Sequence, residues 1–367
     1  GVETTTSLWT SGSAATQLDL RTPASRFIAT STDVPGAIGG IQFQPTAATT
    51  PTKLSAAQQT LLGTPPALTD GAAVVAYLRG DRSGEAASYR TRAHLLGDIV
   101  NSEAVMVDAP SANYVDTGYS AFKTANASRA RMLYQGANDG MLHAFNATTG
   151  AEAWAYVPNL VMSDLNNLSL KTGFNHKYYV DSTPAAADVD FGSGTWRTIL
   201  VGGLGKGGRG YYALDVTAPG AASEAAVASK VLWEFPNSIT TAVERTAATL
   251  NMGYSFGKPL LVKTAAGWVA LVTSGYNNGT NIGDSGGDGL GHLYVINPQT
   301  GDLIKDIATT GCTATPSSNP CGLAQISASL VGDTADYVYG GDLKGNLWRF
   351  DLTAASAASW SVAKFAT

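Results

Sequence analysis

Tyr134-Gln-Gly-Ala-Asn-Asp-Gly-Met-Leu-His-Ala-Phe-Asn146 has the form of two strands joined by a tight turn. Its Asn-Asp-Gly step supplies the turn, because glycine takes the positive φ a tight hairpin needs. The second strand alternates apolar and polar residues, as a half-buried strand does. Ala147-Thr-Thr-Gly150 then turns the chain into a third strand carrying Trp154. Three further stretches repeat this unit in degenerate form. One runs from Leu200 to Asp215 and closes at Leu232-Trp233. The next joins Leu271–Gly275, through a long Gly/Asn/Asp loop, to Gly291–Asn297 and Thr300-Gly301. The last runs from Tyr337 to Asp351. Each unit is a small antiparallel sheet that cannot bury both faces alone, and stacking several radially solves that. The repeat predicts an all-β chain arranged as a β-propeller.

Composition agrees. The 367 residues can bury a large core, only 14% are charged, and 41 are Gly. Such a mix suits a β-protein rich in tight turns. The net charge of −5, with no basic block, argues against nucleic acid as a partner. No apolar run approaches the roughly 18 residues that span a bilayer. Gly1-Val2-Glu3-Thr4 is not a signal peptide and reads as a cloning remnant or an internal cut in a longer protein. Cys312 and Cys321 flank one polar loop, no His lies near either, and no other cysteine exists. This pattern predicts a disulfide in an oxidising compartment rather than a zinc site.

The organisation divides near residue 95. Residues 1–94 hold short strands or linker and two short packing helices; 95–367 hold the blades. Ser55-Ala56-Ala57-Gln58 has capping-box spacing ahead of Leu61-Leu62, with Gly63 as a stop. Thr69-Asp70 precedes a helix over Ala72–Leu78, which Gly80 ends.

Catalytic signals are weak. Gly203-Leu-Gly205-Lys-Gly-Gly208 matches a dinucleotide-binding pattern but leads into the strand Tyr211–Val216, not the helix a pyrophosphate needs. His94, His143, His176 and His292 are scattered, and none sits beside a candidate nucleophile. His143 and His292 occupy equivalent places in their repeats and read as turn-flanking strand residues. Asp284 and Asp288, in a loop that also holds Asn277, Asn278 and Asn281, are the calcium candidates. That loop lacks the D-x-D-x-D-G spacing and a closing Glu, so a solvated Gly-rich loop is the competing reading. No other cofactor is expected. The long polar loops at 275–291 and 309–323 are the expected recognition elements.

Ala144-Phe-Asn146-Ala-Thr-Thr149-Gly150 with Trp154 resembles the tryptophan-docking repeat of pyrroloquinoline-quinone dehydrogenases, where Trp side chains lock neighbouring blades. The repeat is eroded and adjacent cysteines are absent, so it bears on architecture more than on quinone chemistry. A quinoprotein-like propeller enzyme is the alternative to a binding module.

Several stretches in order resemble the C-terminal domain of PilY/PilC-type proteins, the type IV pilus tip-associated adhesins. They are Tyr77-Leu-Arg-Gly-Asp-Arg82, Leu96-Gly-Asp-Ile-Val-Asn-Ser102, Tyr134–Phe145, Leu200–Val216 and Tyr337–Leu352. The resemblance implies a modified seven-bladed propeller, exported to the pilus tip or outer surface of a Gram-negative bacterium. It implies a role in pilus biogenesis and extension, twitching motility, adhesion and surface sensing. It implies minor or major pilins and a host or abiotic surface receptor as partners. Many relatives carry an Asp-rich calcium loop before the strand corresponding to Asp336–Tyr339. Here Ser327–Asp336 is short and holds two carboxylates, so no tight calcium site is expected there. The family would continue into further blades after Thr367, so the expectation is either that the chain is truncated or that the remainder was lost.

Overall fold

Each copy of the repeat folds as the middle of a four-stranded antiparallel blade in a computed structural model that describes residues 9–45, 52–63, 70–280, 285–312 and 320–367. The N-terminal segment supplies helix α1 (Ala14–Asp19), strands β1 (Ile28–Ser31) and β2 (Gly40–Gln42), and helices α2 (Ala56–Gly63) and α3 (Gly71–Arg79). Blade 1 runs β3 (Val105–Val107), β4 (Met132–Gly136), β5 (Leu142–Asn146) and β6 (Glu152–Val157), with α4 (Tyr119–Ala125) between β3 and β4. Blade 2 is β7 (Ala185–Asp190), β8 (Trp196–Gly203), β9 (Tyr211–Asp215) and β10 (Val231–Phe235), with α5 (Glu224–Ala228) before β10. After α6 (Ala242–Asn251), blade 3 is β11 (Leu260–Thr264), β12 (Gly267–Thr273), β13 (His292–Ile296) and β14 (Leu303–Ala308). Blade 4 is β15 (Ile326–Val331), β16 (Thr334–Gly341), β17 (Leu347–Asp351) and β18 (Ser361–Ala366). The first strands of successive blades lie against one another, β3 on β7, β7 on β11 and β11 on β15, as strands around a propeller axis do.

The core lies between blades, which explains the nearly continuous apolar runs of the second strands. Leu200 packs toward blade 1, while its neighbours Ile199 and Val201 pack toward blade 3. Leu271 packs toward blade 4, while Ala270 and Val272 pack toward blade 2. Alternate side chains of one strand thus fill two different interfaces, and both faces must be apolar.

Tryptophans join the blades in series. Trp154 Nε1 in β6 donates to Pro219 O in the last turn of blade 2, at 2.9 Å. Trp233 Nε1 in β10 donates to Pro298 O in the matching turn of blade 3, at 3.0 Å. Trp9 Nε1 donates to Ala147 O of blade 1, at 3.0 Å. Gly150 and Gly301 sit under Trp9 and Trp233 with φ of 76° and 74°; a Cβ at either would come within 2.4 Å of the indole side chain. At the next joint Lys305 replaces Trp, and its Nζ donates to Ala358 O at 3.1 Å.

The N-terminal segment is part of the same structure. β1 pairs in parallel with β6, Ile28 facing Ala155, and β2 adds beyond it. The capping box of α2 forms: Gln58 N donates to Ser55 Oγ at 3.1 Å, and Ser55 N to Gln58 Oε1 at 3.0 Å. Asp70 caps α3 through Ala72 N, and Gly80 ends it with φ of 118°. Helices α4, α5 and α6 lie within the blade region, beyond the two helices read from the sequence. The Ser327–Asp336 segment is a β15–β16 hairpin with Gly332 at φ 61° in its turn. The glycine run at 203–208 is a short 3-10 turn entering strand β9, so its glycines serve backbone approach; a Cβ at Gly207 would lie 1.9 Å from Tyr179 O.

Candidate functional site: the loop-bearing face

In a four-stranded antiparallel blade, the connection entering the first strand and the one between the second and third strands lie at the same end. The β12–β13 connection and the one that enters β15 are one of each kind, so their described ends, 274–280 with 285–291 and 309–312 with 320–325, lie on one face. They also touch. Cys321 N donates to Gly289 O at 2.8 Å, Gly275 N to Leu323 O at 2.7 Å, and Thr309 N to Gly291 O at 2.8 Å. Cys312 and Cys321 form a disulfide, and Cys321 is fully buried. Leu343 N, in the corresponding turn of blade 4, donates to Cys321 O at 2.7 Å. The backbone of Cys321 thus ties its loop to the other long loop and to the next blade, and the disulfide fastens Cys312 to that anchor.

The opposite face is covered differently. The segment joining β3 to β4 reaches across blades 2 and 3. Trp196 Nε1 donates to Thr117 O at 2.8 Å, Tyr119 Oη donates to Asp188 at 2.8 Å, and Lys263 pairs with Asp116. Tyr114 stacks on Trp196 at 5.4 Å and meets Trp268 edge-on at 5.4 Å.

Two depressions open on the loop-bearing face. One, of about 440 Å³, is lined by residues that lead into the first strands of all four blades, among them Asn101, Asp181, Lys258 and Gln325. The other, of about 490 Å³, lies beside blade 1 between residues 90–98, the Asn138-Asp139 turn and residues 168–177. Two stretches quoted above build it. Tyr77 Oη donates to Arg90 O and Leu168 O at 3.0 and 3.2 Å, tying two walls together. Gly97 N donates to Asp139 at 2.9 Å, and Asn138 Nδ2 to Asp98 at 2.9 Å. Arg79 is turned inward, pairing with the buried Glu224 and donating to Phe43 O at 2.9 Å.

The histidines divide into two pairs. His94 and His176 are half exposed at the rim of the larger cleft, bonded to Asp19 and Asp98 at 2.6 and 2.9 Å. His143 and His292 are buried strand residues, each gripped by two carboxylates. His143 bonds Asp139 at 3.0 Å and Glu152 at 2.8 Å, and Glu152 also receives the buried Arg26 at 2.8 Å. His292 bonds Asp288 at 3.0 Å and Asp306 at 2.8 Å. Burial opposes the charged form of both rings, but the flanking carboxylates outweigh it and raise each pKa to about 9. Burial also works against ionisation of Glu152, yet Arg26 and His143 hold it well below the usual carboxylate range. The repeat spacing placed these histidines equivalently; it gave no sign of their ion pairs, because the second carboxylate comes from the neighbouring strand.

Of the two calcium candidates, Asp284 lies outside the described residues. Asp288 accepts from His292 and from Leu290 N, and lies 3.2 Å from Asn251 Nδ2. Among the described residues no group of three or more His, Cys, Asp or Glu side chains could hold a metal ion. Nor, among them, is any helix long and apolar enough to cross a membrane.

The family described as the PilY1 beta-propeller domain matches residues 96–364. The type IV pilus biogenesis factor PilY1 of Pseudomonas aeruginosa strain PAK is 38% identical over 322 residues, covering 82% of this chain and 25% of that protein. A PilY1 homolog of Xylella fastidiosa is 37% identical over 316 residues, covering 79% and 20%. The crystal structure of the Pseudomonas aeruginosa PilY1 C-terminal domain superposes with a TM-score of 0.53 and 31% identity, covering 70% of this chain and 50% of that one. The chain thus spans about a fifth to a quarter of the length of the curated relatives it matches.

Proposed function

Since the chain belongs to the PilY1 β-propeller family, we propose that it is the binding module of a type IV pilus biogenesis factor, acting by surface contact and not by turnover. It supports pilus extension, twitching motility and adhesion from the pilus tip or outer surface. Its partners are minor or major pilins and a surface or host receptor. The observation that carries this reading is the gathering of two long polar loops, braced by a disulfide, on one face of a rigid blade scaffold. Recognition commonly sits on loops so held. Contacts of this kind are moderate in area, and multivalency raises their strength at a pilus tip.

The tryptophan joints account for the likeness to quinone dehydrogenases through architecture alone. Quinone absorbance in the purified protein would overturn the non-enzymatic reading. The direct test deletes this region from the full-length protein, with export of the remainder verified. Loss of pili, twitching or adhesion is expected; wild-type levels of all three would sink the proposal.

A further inference from the structure

We propose that the 490 Å³ cleft beside blade 1 binds an acidic peptide segment of a protein partner, with Arg90 receiving a carboxylate. Arg90 lies over the Phe174 ring, 4.1 Å from its centroid, and its Nε donates to Leu168 O at 3.0 Å. Among the described residues no carboxylate pairs with it. The other cations of the cleft are committed. Arg92 donates to Glu85 at 2.8 Å and lies 3.6 Å over the Tyr77 ring, and Lys177 pairs with Asp164.

The two acids of the cleft are engaged with other partners than Arg90. Asp98 accepts from Asn138 and bonds His176, while Asp139 accepts from Gly97 N and from His143. The remaining lining is mostly apolar, with Leu78, Leu95, Leu96 and Leu168 beside Phe174. A guanidinium without a carboxylate partner at an apolar wall suits a ligand that presents a carboxylate beside an apolar side chain. The planar fork can grip a carboxylate through two parallel bonds. Stacking on Phe174 holds that fork before the ligand arrives, so less side-chain entropy is lost on binding. A free small acid would leave the apolar wall uncovered, whereas a peptide alternating acidic and apolar residues fills both parts.

The inference rests on the binding-module reading only in taking the ligand to be protein. The probe is a fluorescein-labelled hexapeptide alternating Leu and Asp, titrated by anisotropy against the purified 367-residue chain. Saturable binding is expected, weakened about ten- to hundredfold in Arg90→Ala. Lys258→Ala, at the other depression, is expected to leave it unchanged. If Arg90→Ala fails to fold, Arg90→Lys and a probe with Asn in place of Asp decide the matter, and both should bind more weakly. The proposal falls if the native chain shows no saturable binding. It also falls if folded Arg90→Ala binds like the native chain, if Lys258→Ala loses as much, or if the Asn probe binds equally. None of these results would bear on the deletion phenotype, which tests the pilus role separately.

Discussion

Blades 1 and 3 carry the same small device in two settings. In each, a histidine near the start of the third strand bonds a carboxylate four residues earlier and a second one on the fourth strand. In each, it stacks on an aromatic ring two residues later, Phe145 or Tyr294, at 5.4 and 5.5 Å. The surroundings differ. Glu152 is 1% exposed and shared with the buried Arg26, whereas Asp306 and Asp288 are 32% and 41% exposed. One geometry is thus a sealed charge network in blade 1 and a half-solvated brace under a long loop in blade 3. Position in the molecule, not the local pattern, sets what the device is worth.

The sharpest way to break this comparison is to remove the fourth-strand carboxylate at both places. Glu152→Ala leaves Arg26 and His143 buried together without their shared partner, and should cost about 3–5 kcal/mol. Asp306→Ala leaves His292 its half-exposed partner Asp288, and should cost roughly 0.5–1 kcal/mol. Urea unfolding of the two variants checks the ratio; equal losses would show that burial does not separate the sites.

Titration sharpens it further. Both rings have folded pKa values of about 9, above the ordinary 6.5. Their stabilisation is complete below about pH 6.5 and is lost as pH rises through about 9. Glu152 is shifted the other way, so its contribution is present above the ordinary carboxylate value and is lost only as pH falls through its depressed pKa. Thermal melts between pH 6 and 10 should therefore show an alkaline decline that His143→Gln removes in larger part than His292→Gln.

The sequence was most legible where one residue type is required by geometry. The Gly turns, the capping box at Ser55 and Gln58, and Gly80 all name their own conformation. All four repeat copies are second and third strands, because those strands carry the alternating or continuous apolar residues that fill the core between blades. The first strands were harder to see: Val105–Val107 is three residues long, and β15 alternates Ser with apolar residues on a half-exposed face. The exposed rim and the ion pairs were not legible, since Arg26 meets Glu152, and Arg90 meets Phe174, only after the chain has folded. The Tyr77–Arg82 stretch illustrates the limit. It was read as part of the family resemblance, yet Arg79 is a buried brace and Tyr77 a tie between cleft walls.

The disulfide tests the blade 3 side of the comparison with a smaller effect. Replacing both Cys312 and Cys321 by Ser opens a loop of sequence separation 9, and should cost about 2 kcal/mol, the low end for such bridges. Because Cys321 backbone groups bond Gly289 and Leu343, amide exchange should quicken at 289–291 and near 343 while blade 1 stays protected. Uniform loss of protection would mean that the two regions are one cooperative unit.

Calcium should have the least effect, and its site should be the loop of blade 3. Ca²⁺ takes six to eight oxygen ligands, many of them carboxylates. Asp288 already accepts from His292 and Leu290 N, so a cation there must compete with the ring it braces. The Asp333–Asp336 hairpin has a tight turn and two carboxylates. Calorimetric titration of the purified chain is therefore expected to give weak binding at most, reduced by Asp288→Asn and by Asp284→Asn and indifferent to Asp333→Ala. Tight binding abolished by Asp333→Ala would move the site to blade 4 and show that backbone carbonyls at the hairpin complete a shell its two carboxylates cannot.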